Sequence, residues 1–353
     1  MSPIKKLEML GRKLLLWLCA KLLSVSCREP ISRLDRIAVI RLDPRVGNLI
    51  LLTPLLSSLK LRFPQASLDV VVNQRSSILL EEQQAIDQVL CFDKKTFFGQ
   101  GGVFSVWKKI RANNYDLIID ASNPTFPSTT QALIARFSKA RFTTGVGLPG
   151  VDTIFTHPVQ IHETPTSHEI DLRLQLLSAL PGQATTRSIS LGQKILRKGQ
   201  QEQNQALTPQ AILNVGARLQ DKQLDAQTYA VIAQTIIDRG HQVTLTYGPA
   251  EIKLAEETLA LCKQASLAPP TSLSALAYLM SQATLVVSCD TGPMHIAAAT
   301  GKPTLGIFVS TPPARYGYTD GFNAVIDAQN GFGEDALQEL AAFIDRLESP
   351  PST

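Results

Sequence analysis

Residues 287–295, Val-Ser-Cys-Asp-Thr-Gly-Pro-Met-His, have the composition of a phosphate-binding strand–turn–helix junction. The apolar run 284–287 predicts a buried strand, 290–293 a tight turn, and 294–299 the first turns of a helix. Such a junction directs unpaired backbone N–H groups and the positive end of the helix to one point, where a phosphate can bind. Asp290, at the end of the strand, could hold a sugar hydroxyl or a base. The alternative is an ordinary junction in which the Thr or the Asp of the turn is the N-cap.

Two other strand ends in the same half of the chain carry complementary groups. Gly216-Ala217-Arg218 ends one predicted strand, with Lys222 just beyond it, and Tyr247-Gly248-Pro249 ends the next. Together with Asp290 they supply two cations, backbone donors and one carboxylate, a set that suits a nucleotide diphosphate. The alternative for Lys222 is a solvated surface lysine.

A second polar cluster lies in the first half of the chain, in one predicted strand-to-helix loop. The loop contains Arg41, Asp43, Arg45 and Asn48. Charged side chains in such a loop could hold an anionic acceptor or act as a base. The alternative is a turn that Asp43-Pro44 merely initiates.

Several other kinds of site are disfavoured by the residues. The chain has no GxxxxGK[ST], which argues against a P-loop site, and it has no Asp-x-Asp pair that would indicate a divalent metal. The five cysteines include no CxxC, and the five histidines show no ligand spacing. These features favour a reducing compartment over a disulfide framework or a zinc site. The net charge of +4 is too small to indicate nucleic-acid binding by the whole chain.

The elements that position these residues alternate between strand and helix. Of the 353 residues 44% are hydrophobic and 18% charged, as in a globular protein with large buried sheets. Short apolar runs separated by helical patterns predict an α/β protein with two Rossmann-like, doubly wound domains facing a cleft. We place the first domain at 36–185 and the second at 207–330, with a C-terminal helix and tail at 331–353. Ligands of such sheets bind at the carboxyl ends of the strands.

Residues 1–30 predict a basic amphipathic helix. Leu7, Leu10, Leu14, Trp17, Leu18 and Leu22 recur at helical spacing among lysines and arginines. The uninterrupted apolar run is far shorter than the ~20 residues that span a bilayer, and no cleavage site follows it. Such a helix suits the surface of an anionic membrane; the alternative is a helix packed on the body of the protein.

Three segments, in this order along the chain, resemble one known family. Residues 41–55 resemble the first loop and helix of the ADP-heptose:lipopolysaccharide heptosyltransferases (glycosyltransferase family 9). Residues 222–229 are similar to that family's Lys-x-Trp-x-x-Glu-x-Phe/Tyr segment. Residues 288–298 resemble its Asp-Ser/Thr-Gly-Pro-x-His-Leu-Ala-Ala motif, and 301–303 and 311–317 continue the match. The resemblance implies a GT-B fold and an inverting, metal-independent heptose transfer from ADP-heptose to the lipopolysaccharide core, at the cytoplasmic face of the inner membrane.

The resemblance also implies residue roles. Lys222 would neutralise the leaving diphosphate, and Asp290 would hold the nucleotide sugar. The phosphates would bind at Thr291, Gly292 and Pro293, with Arg218 as a further donor-site cation and His295 either in the pocket or packed in the helix. Acceptor binding falls to Arg41, Arg45 and Gly47. No metal or other cofactor is expected; the expected partners are a nucleotide sugar, the core acceptor and the membrane surface, but not nucleic acid.

One departure concerns catalysis. The family has Gly-Asp where this chain has Gly47-Asn48, and that Asp is the expected general base. Because an amide does not accept a proton at neutral pH, Asn48 can only orient the acceptor. We hypothesise that Asp43, in the same loop, is the base. The alternatives are another carboxylate, or a slow or altered enzyme. Two other functions also stay open: a non-catalytic nucleotide-sugar-binding relative, and a GT-B enzyme acting on another glycan.

Overall fold

The computed structural model describes residues 29–93, 96, 101–124, 127–147, 152–203 and 210–348, and, nearer the N-terminus, 11, 14, 17, 18, 21–23 and 25. It divides into two compact units, Met1–Gly192 and Gln193–Thr353. Each unit is built on a six-stranded sheet whose described strand pairs are all parallel. The predicted fold class, two Rossmann-like doubly wound domains, is confirmed.

The strands of the first unit have the order β3-β2-β1-β4-β5-β6. They are β1 (Arg36–Arg41), β2 (Ser67–Asn73), β3 (Gln88–Phe92), β4 (Leu117–Asp120), β5 (Phe142–Val146) and β6 (His157–Val159). The helices of this unit are α1 (Val46–Ile50), α2 (Thr53–Arg62), α3 (Val103–Ala112), α4 (Thr129–Arg136) and α5 (Glu169–Leu174). The central strands are buried along nearly their whole length, which explains why they read as continuous apolar runs.

The second unit repeats this topology with the order β12-β11-β10-β7-β8-β9. Its strands are β7 (Ala211–Val215), β8 (Val243–Tyr247), β9 (Ser266–Leu267), β10 (Leu285–Cys289), β11 (Thr304–Phe308) and β12 (Ala324–Asp327). Its helices are α6 (Gln193–Glu202), α7 (Ala226–Ile237), α8 (Ile252–Leu261), α9 (Leu273–Gln282), α10 (Gly292–Ala299), α11 (Pro313–Tyr316) and α12 (Glu334–Glu348).

The polar stretch 182–205, expected to connect two domains, contains helix α6. Ile195 of this helix is fully buried, and α6 packs closely against α9. Gly199 permits the approach, because a Cβ built there would lie 2.0 Å from the Ser274 carbonyl oxygen. The low apolar content of this segment gives no sequence signal for helix α6, because the close packing of the helix depends on a small residue, Gly199, rather than on large apolar ones.

The helix expected over 49–63 is two helices, α1 and α2. Helix α2 begins at Thr53, and Pro54 lies in its first turn, where the missing N–H costs no hydrogen bond. The Thr53 hydroxyl donates to the Ile50 carbonyl oxygen at 2.7 Å and links the two helices.

Of the described residues of the expected N-terminal helix, Gly11, Leu14, Trp17, Leu18, Lys21 and Leu22 are helical and exposed, whereas 23, 25, 29 and 30 lie outside any helix. The other residues of that segment lie outside the part of the chain that the structure describes. Within the described part, no helix has both the length and the apolar character needed to cross a bilayer.

In each sheet the central pair of strands is where the chain reverses its direction of winding. The pairs are β1 with β4 and β7 with β10. The crevice at the carboxyl ends of such a pair is the usual ligand site of open α/β sheets. The candidate residues Arg41–Asn48 follow β1, and Asp290–Pro293 follow β10.

Candidate active site

In the second unit, the end of β10 carries a buried carboxylate that is paired with a lysine. The Asp290 side chain is 6% exposed, and its Oδ2 accepts a short hydrogen bond from Lys222 Nζ. The same ammonium lies 3.4 Å from the Asp290 carbonyl oxygen. The alternative of a solvated surface lysine is therefore wrong, because Lys222 is held against the strand end where the phosphate site was predicted.

Local contacts fix the segment that carries Lys222. The residue ends a short 3₁₀ turn, and the next residue, Gln223, hydrogen-bonds the Ala217 carbonyl oxygen after β7. Leu224, which replaces the family Trp, packs against the core of the unit. Asp225 then caps α7 by accepting from the Thr228 N–H at 2.7 Å. The segment is thus anchored on both sides of the lysine.

Helix α10 begins beside this ion pair. Thr291 occupies the N-cap position, but its side chain makes no capping hydrogen bond. Its hydroxyl instead donates back to the Cys289 carbonyl oxygen at 3.1 Å. The alternative of a side-chain N-cap is therefore not what the structure shows. The partly exposed Thr291, Gly292 and Pro293 present the start of the helix next to Lys222.

His295, on the first turns of α10, is buried but borders the same site. Its Nδ1 lies 2.7 Å from the Tyr318 hydroxyl, and its Nε2 lies 4.0 Å from Asp290 Oδ1. The ring of Tyr316 also faces the site, with its centroid 5.9 Å from Lys222 Nζ. His295 was expected either to lie in the donor pocket or to pack within the helix. The structure shows that its side chain is packed and also lies 4.0 Å from the Asp290 carboxylate.

A glycine with positive φ follows the end of β7. Gly216 has φ +90°, and a Cβ there would lie 2.4 Å from Glu251 Cγ. Its N–H donates to the Tyr229 hydroxyl at 3.0 Å, and that hydroxyl lies 3.3 Å from Cys289 Sγ. Burial raises the pKa of the Cys289 thiol to about 11, so the thiol is neutral. Arg218, two residues after Gly216, is exposed.

The first unit has a cavity of about 680 Å³ at the carboxyl edge of its sheet. It is lined by the loop 41–45 after β1, Asn73 and Arg75 after β2, Phe92 and Asp93 at β3, Ser122 and Asn123 after β4, and Ser128, Thr130 and Gln131 at the start of α4. The predicted acceptor residues Arg41 and Arg45 and the predicted base Asp43 are therefore brought together. Gly47 lies in α1, where its carbonyl oxygen accepts from the Leu51 N–H.

Asp43 is held by cations and by an amide. Arg45 donates to both carboxylate oxygens at 2.5–3.0 Å, and Arg41 Nη2 lies 3.5 Å from Oδ2. Asn48 Nδ2 donates to the same Oδ2 at 2.7 Å. Burial raises the pKa of Asp43, but the Arg45 hydrogen bond and the Arg41 charge outweigh it and lower that pKa to about 2. Such a weak base argues against Asp43 as the proton acceptor.

Asn48 bridges groups of opposite charge. Its amide N–H₂ donates to Asp43, and its Oδ1 accepts from Arg173 Nη2 at 3.2 Å. Arg173 is itself paired with Glu169 at 2.9 Å, and both side chains are almost fully buried. An amide satisfies both neighbours because it carries one donor group and one acceptor. A carboxylate at position 48 would instead face the carboxylate of Asp43.

Arg41 is the buried cation of the cavity wall. Its side chain is 2% exposed, and Nη1 donates to the Ala121 carbonyl oxygen at 2.6 Å. Its Nε and Nη2 have no hydrogen-bond partner among the described residues. Burial lowers the pKa of Arg41 to about 10, and the guanidinium still carries its charge at neutral pH. The charge of this buried cation next to the cavity favours an anionic ligand there.

Sequence reasoning missed one carboxylate at this edge, Asp120 at the end of β4. Its Oδ1 accepts from the Ser122 hydroxyl at 2.6 Å and from Gln131 Nε2 at 2.7 Å, and both of these residues line the cavity. Burial raises the pKa of Asp120 to about 6, although the hydrogen bonds from Ser122 and Gln131 oppose the rise. The signal in the sequence was a carboxylate ending the strand Tyr115–Asp120, since β4 adjoins β1.

Residues 103–341 match the family model "Glycosyltransferase family 9 (heptosyltransferase)". Lipopolysaccharide heptosyltransferase 3 of Escherichia coli K12 is 28% identical over 75% of this chain and 80% of its own length. The lipopolysaccharide core heptosyltransferase OpsX of Haemophilus influenzae is 23% identical over 79% of both chains.

Solved structures show the same fold. ADP-heptose lipopolysaccharide heptosyltransferase II of Escherichia coli has a TM-score of 0.71 at 20% identity, covering 89% of this chain and 100% of that one. A glycosyltransferase family 9 protein of Veillonella parvula has a TM-score of 0.72 at 20% identity, covering 89% and 97%. Two Rossmann-like units of this kind define a GT-B protein, as in these solved structures. The chain belongs to glycosyltransferase family 9, the heptosyltransferase family, as its motifs indicated.

Proposed function

We propose that this protein transfers a heptose from ADP-heptose to the lipopolysaccharide core with inversion at the anomeric carbon. The observation that carries the proposal is the Lys222–Asp290 pair at the start of α10, in a chain that belongs to a heptosyltransferase family. Its curated relatives are named for heptose transfer to lipopolysaccharide, and one similar solved structure is named for ADP-heptose.

The donor binds in the second unit. Lys222 and the first N–H groups of α10 meet the diphosphate, and their positive charge stabilises the leaving ADP. Asp290 keeps the Lys222 ammonium in place and accepts a hydrogen bond from a hydroxyl group of the nucleotide sugar. Arg218, exposed two residues after β7, adds a cation at the rim of this site. These groups supply the charge that a divalent metal provides in other transferases, and we expect activity without a metal.

The acceptor binds in the cavity of the first unit. Arg41, Arg45 and Arg75 give it a positive wall, and its described carboxylates are Asp43 and Asp93. Asp43 is neutralised by Arg45 and Arg41, so the net field favours an anionic sugar. The exposed Arg45 binds the acidic group of the core acceptor, the buried charge of Arg41 adds to the positive field, and the backbone near Gly47 at the start of α1 orients the acceptor.

The proton of the attacking hydroxyl needs a base other than Asn48. In an inverting transfer the acceptor oxygen forms a bond to the anomeric carbon, the bond from that carbon to the diphosphate oxygen breaks, and the proton leaves the acceptor. Asp120 is better suited to take it than Asp43, because its pKa lies near 6 rather than near 2. Asp120 is buried, so the proton passes through the Ser122 hydroxyl. Asp43 and Asn48 then hold the loop rather than the proton.

The N-terminal helix places the protein on the inner face of the cytoplasmic membrane, where a lipid-anchored acceptor is available. Leu14 is 58% exposed, Trp17 42%, Leu18 44% and Leu22 82%. Lys21 Nζ lies 5.9 Å from the Trp17 ring centroid. An exposed apolar stripe beside lysines is the pattern of helices that lie in an anionic lipid surface.

Transfer is tested by incubating the protein with ADP-heptose and a heptose-deficient core acceptor, with and without a chelator. We expect ADP release that requires the acceptor and continues in the chelator, and an inverted anomeric configuration by NMR. A panel of other nucleotide sugars serves as the comparison. If another nucleotide sugar were turned over faster than ADP-heptose, that sugar would replace heptose as the proposed donor group.

One observation favours a second candidate, a nucleotide-sugar-binding relative without transferase activity. Asn48 stands at the usual position of the base, and its amide is engaged on both sides. Tight ADP-heptose binding without ADP release in the same assay would select this candidate.

A further inference from the structure

Helix α3 and the end of α4 form an exposed surface of aromatic and cationic side chains on the first unit. It consists of Phe104, Trp107, Lys108, Arg111, Arg136 and Phe137, and we refer to it as the α3–α4 surface. We propose that this surface binds a bilayer containing anionic phospholipid, as a second membrane contact beside the N-terminal helix. The inference concerns binding alone and holds whichever sugar the enzyme transfers.

The aromatic part of the α3–α4 surface is a connected cluster. The rings of Phe104 and Trp107 lie 5.5 Å apart. Trp107 Nε1 donates to the Phe137 carbonyl oxygen at 3.0 Å and joins α3 to the end of α4. Phe104 is 39% exposed and Phe137 41%. Large rings left at the surface next to polar groups are typical of the membrane–water interface.

Each ring has a cation beside it. Lys108 Nζ lies 4.6 Å from the Phe104 centroid, the Arg111 guanidinium 4.7 Å from Trp107, and the Arg136 guanidinium 6.0 Å from Phe137. Such pairs place a positive charge at headgroup depth when the ring enters the interface.

The chain around these rings is basic throughout. Residues 103–114 and 128–141 contain Lys108, Lys109, Arg111, Arg136, Lys139 and Arg141, and neither stretch contains an Asp or a Glu. Arg141 is paired with Glu29 at 2.7 Å, Lys108, Arg111 and Arg136 lie against the rings, and Lys109 and Lys139 are exposed. The charge therefore selects an anionic partner. A lipid surface fits better than a nucleic acid, because the cations already cover the ring faces on which bases would stack.

The α3–α4 surface is continuous with the N-terminal helix. Arg136 Nε donates to the Leu23 carbonyl oxygen at 2.8 Å, next to the exposed Leu22. The apolar stripe of that helix and the aromatic cluster are thus joined through one arginine. Two contacts on one chain raise affinity well above that of either alone, because the second binds without a new loss of translational freedom. They also fix which side of the unit faces the bilayer.

The test measures the partition of the full chain onto vesicles of phosphatidylcholine with and without phosphatidylglycerol, by titration. Lys108 and Lys109 are exposed, so the K108E/K109E variant changes charge without disturbing the core. We expect it to bind anionic vesicles about thirtyfold more weakly. The affinity of the Phe104→Ser variant should fall about tenfold on both kinds of vesicle, because this substitution removes apolar contact area and leaves the charge unchanged.

The matched control is K253E/K263E, which reverses two exposed lysines of the second unit with the same change in net charge. We expect wild-type partition for it, and unchanged ADP binding for all three variants. Equal loss in the control would mean that total charge, not this surface, drives binding, and would overturn the proposal. Wild-type partition of both α3–α4 variants onto anionic vesicles would also overturn the proposal. The same holds if the variants lose binding to a single-stranded oligonucleotide but keep wild-type binding to vesicles.

Discussion

The ion pair between Lys222 and Asp290 can be separated experimentally into its effects on folding and on donor binding. Lys222→Met leaves Asp290, 6% exposed, without its cation. Breaking a buried pair by removing one partner costs about 3–5 kcal/mol. The Lys222 side chain is 22% exposed, so water replaces part of the lost interaction and we expect about 2–3 kcal/mol. Asp290→Asn in the same chain removes the stranded charge and should restore most of that stability.

Donor affinity should behave differently from stability. Lys222 meets the diphosphate directly, so we expect K222M to weaken ADP binding about 30- to 100-fold. The double variant K222M/D290N should not recover that affinity, because the cation is still missing. The two readouts therefore diverge in the double variant, which a purely structural role for Lys222 would not produce.

The assay must report on the second unit. Both tryptophans, Trp17 and Trp107, lie in the first unit, so intrinsic fluorescence is blind to this change. Hydrogen exchange of β10 and α10 in urea reports the stability of the second unit, and calorimetric titration reports ADP affinity. Lys253→Met, an exposed lysine of the same unit, is the control. Additive stability effects of the two substitutions, or ADP affinity restored in the double variant, would refute the reasoning.

Three further outcomes are expected. Burial raises the pKa of Asp120 to about 6, so the unfolded chain loses this proton at lower pH than the folded chain does, and the free energy of unfolding falls by about 3 kcal/mol as pH rises from about 4 to 6. The D120N variant should abolish that slope in denaturant titrations and remove the acid limb of the kcat/KM profile near pH 6. An unchanged kcat/KM profile would exclude Asp120 as the base. Asn48→Asp would set two carboxylates about 2.7 Å apart, as Asn48 and Asp43 are now, and their repulsion would raise the pKa of one carboxylate. We expect kcat at pH 7–8 to rise about tenfold or more. A lower kcat would show that the amide itself is required. Trp17→Ser should weaken binding to anionic vesicles about tenfold, whereas wild-type partition would assign the membrane contact to other residues.

The sequence predicted the strand, turn and helix of the proposed donor site well because their determinants are local. An apolar strand, a Gly-Pro turn and a helix are encoded in consecutive residues, and β10 lies beside β7 in any sheet with this winding order. Even so, Tyr316 and Tyr318 join the site from a distant segment, and only the folded chain shows that Tyr318 meets His295.

The acceptor side was harder to predict because its chemistry depends on partners distant in sequence. The sequence places Asp43 in the loop of a base, but Arg41 and Arg45 hold its carboxylate in the folded chain. The sequence presents Asn48 as the loss of a base, yet its amide joins Asp43 to Arg173, which lies 125 residues away. The pKa of Asp120 reflects burial, which a strand-end carboxylate does not reveal in the sequence.

Short elements with little pattern of their own were also missed. Strands β6, β9 and β12 have three, two and four residues, too few to show a periodicity. Helix α6 is mostly polar and depends on its close packing against α9, at Gly199, which no local signal encodes.

The central claim is that this chain moves one heptose from ADP-heptose to a lipopolysaccharide core acceptor. The most direct measurement is the mass spectrum of a heptose-deficient core acceptor after incubation with ADP-heptose and either the wild-type protein or K222M. We predict that the acceptor gains the mass of one heptosyl residue with the wild-type protein and much more slowly with K222M. An acceptor of unchanged mass, with a donor that binds and is not consumed, would contradict the account.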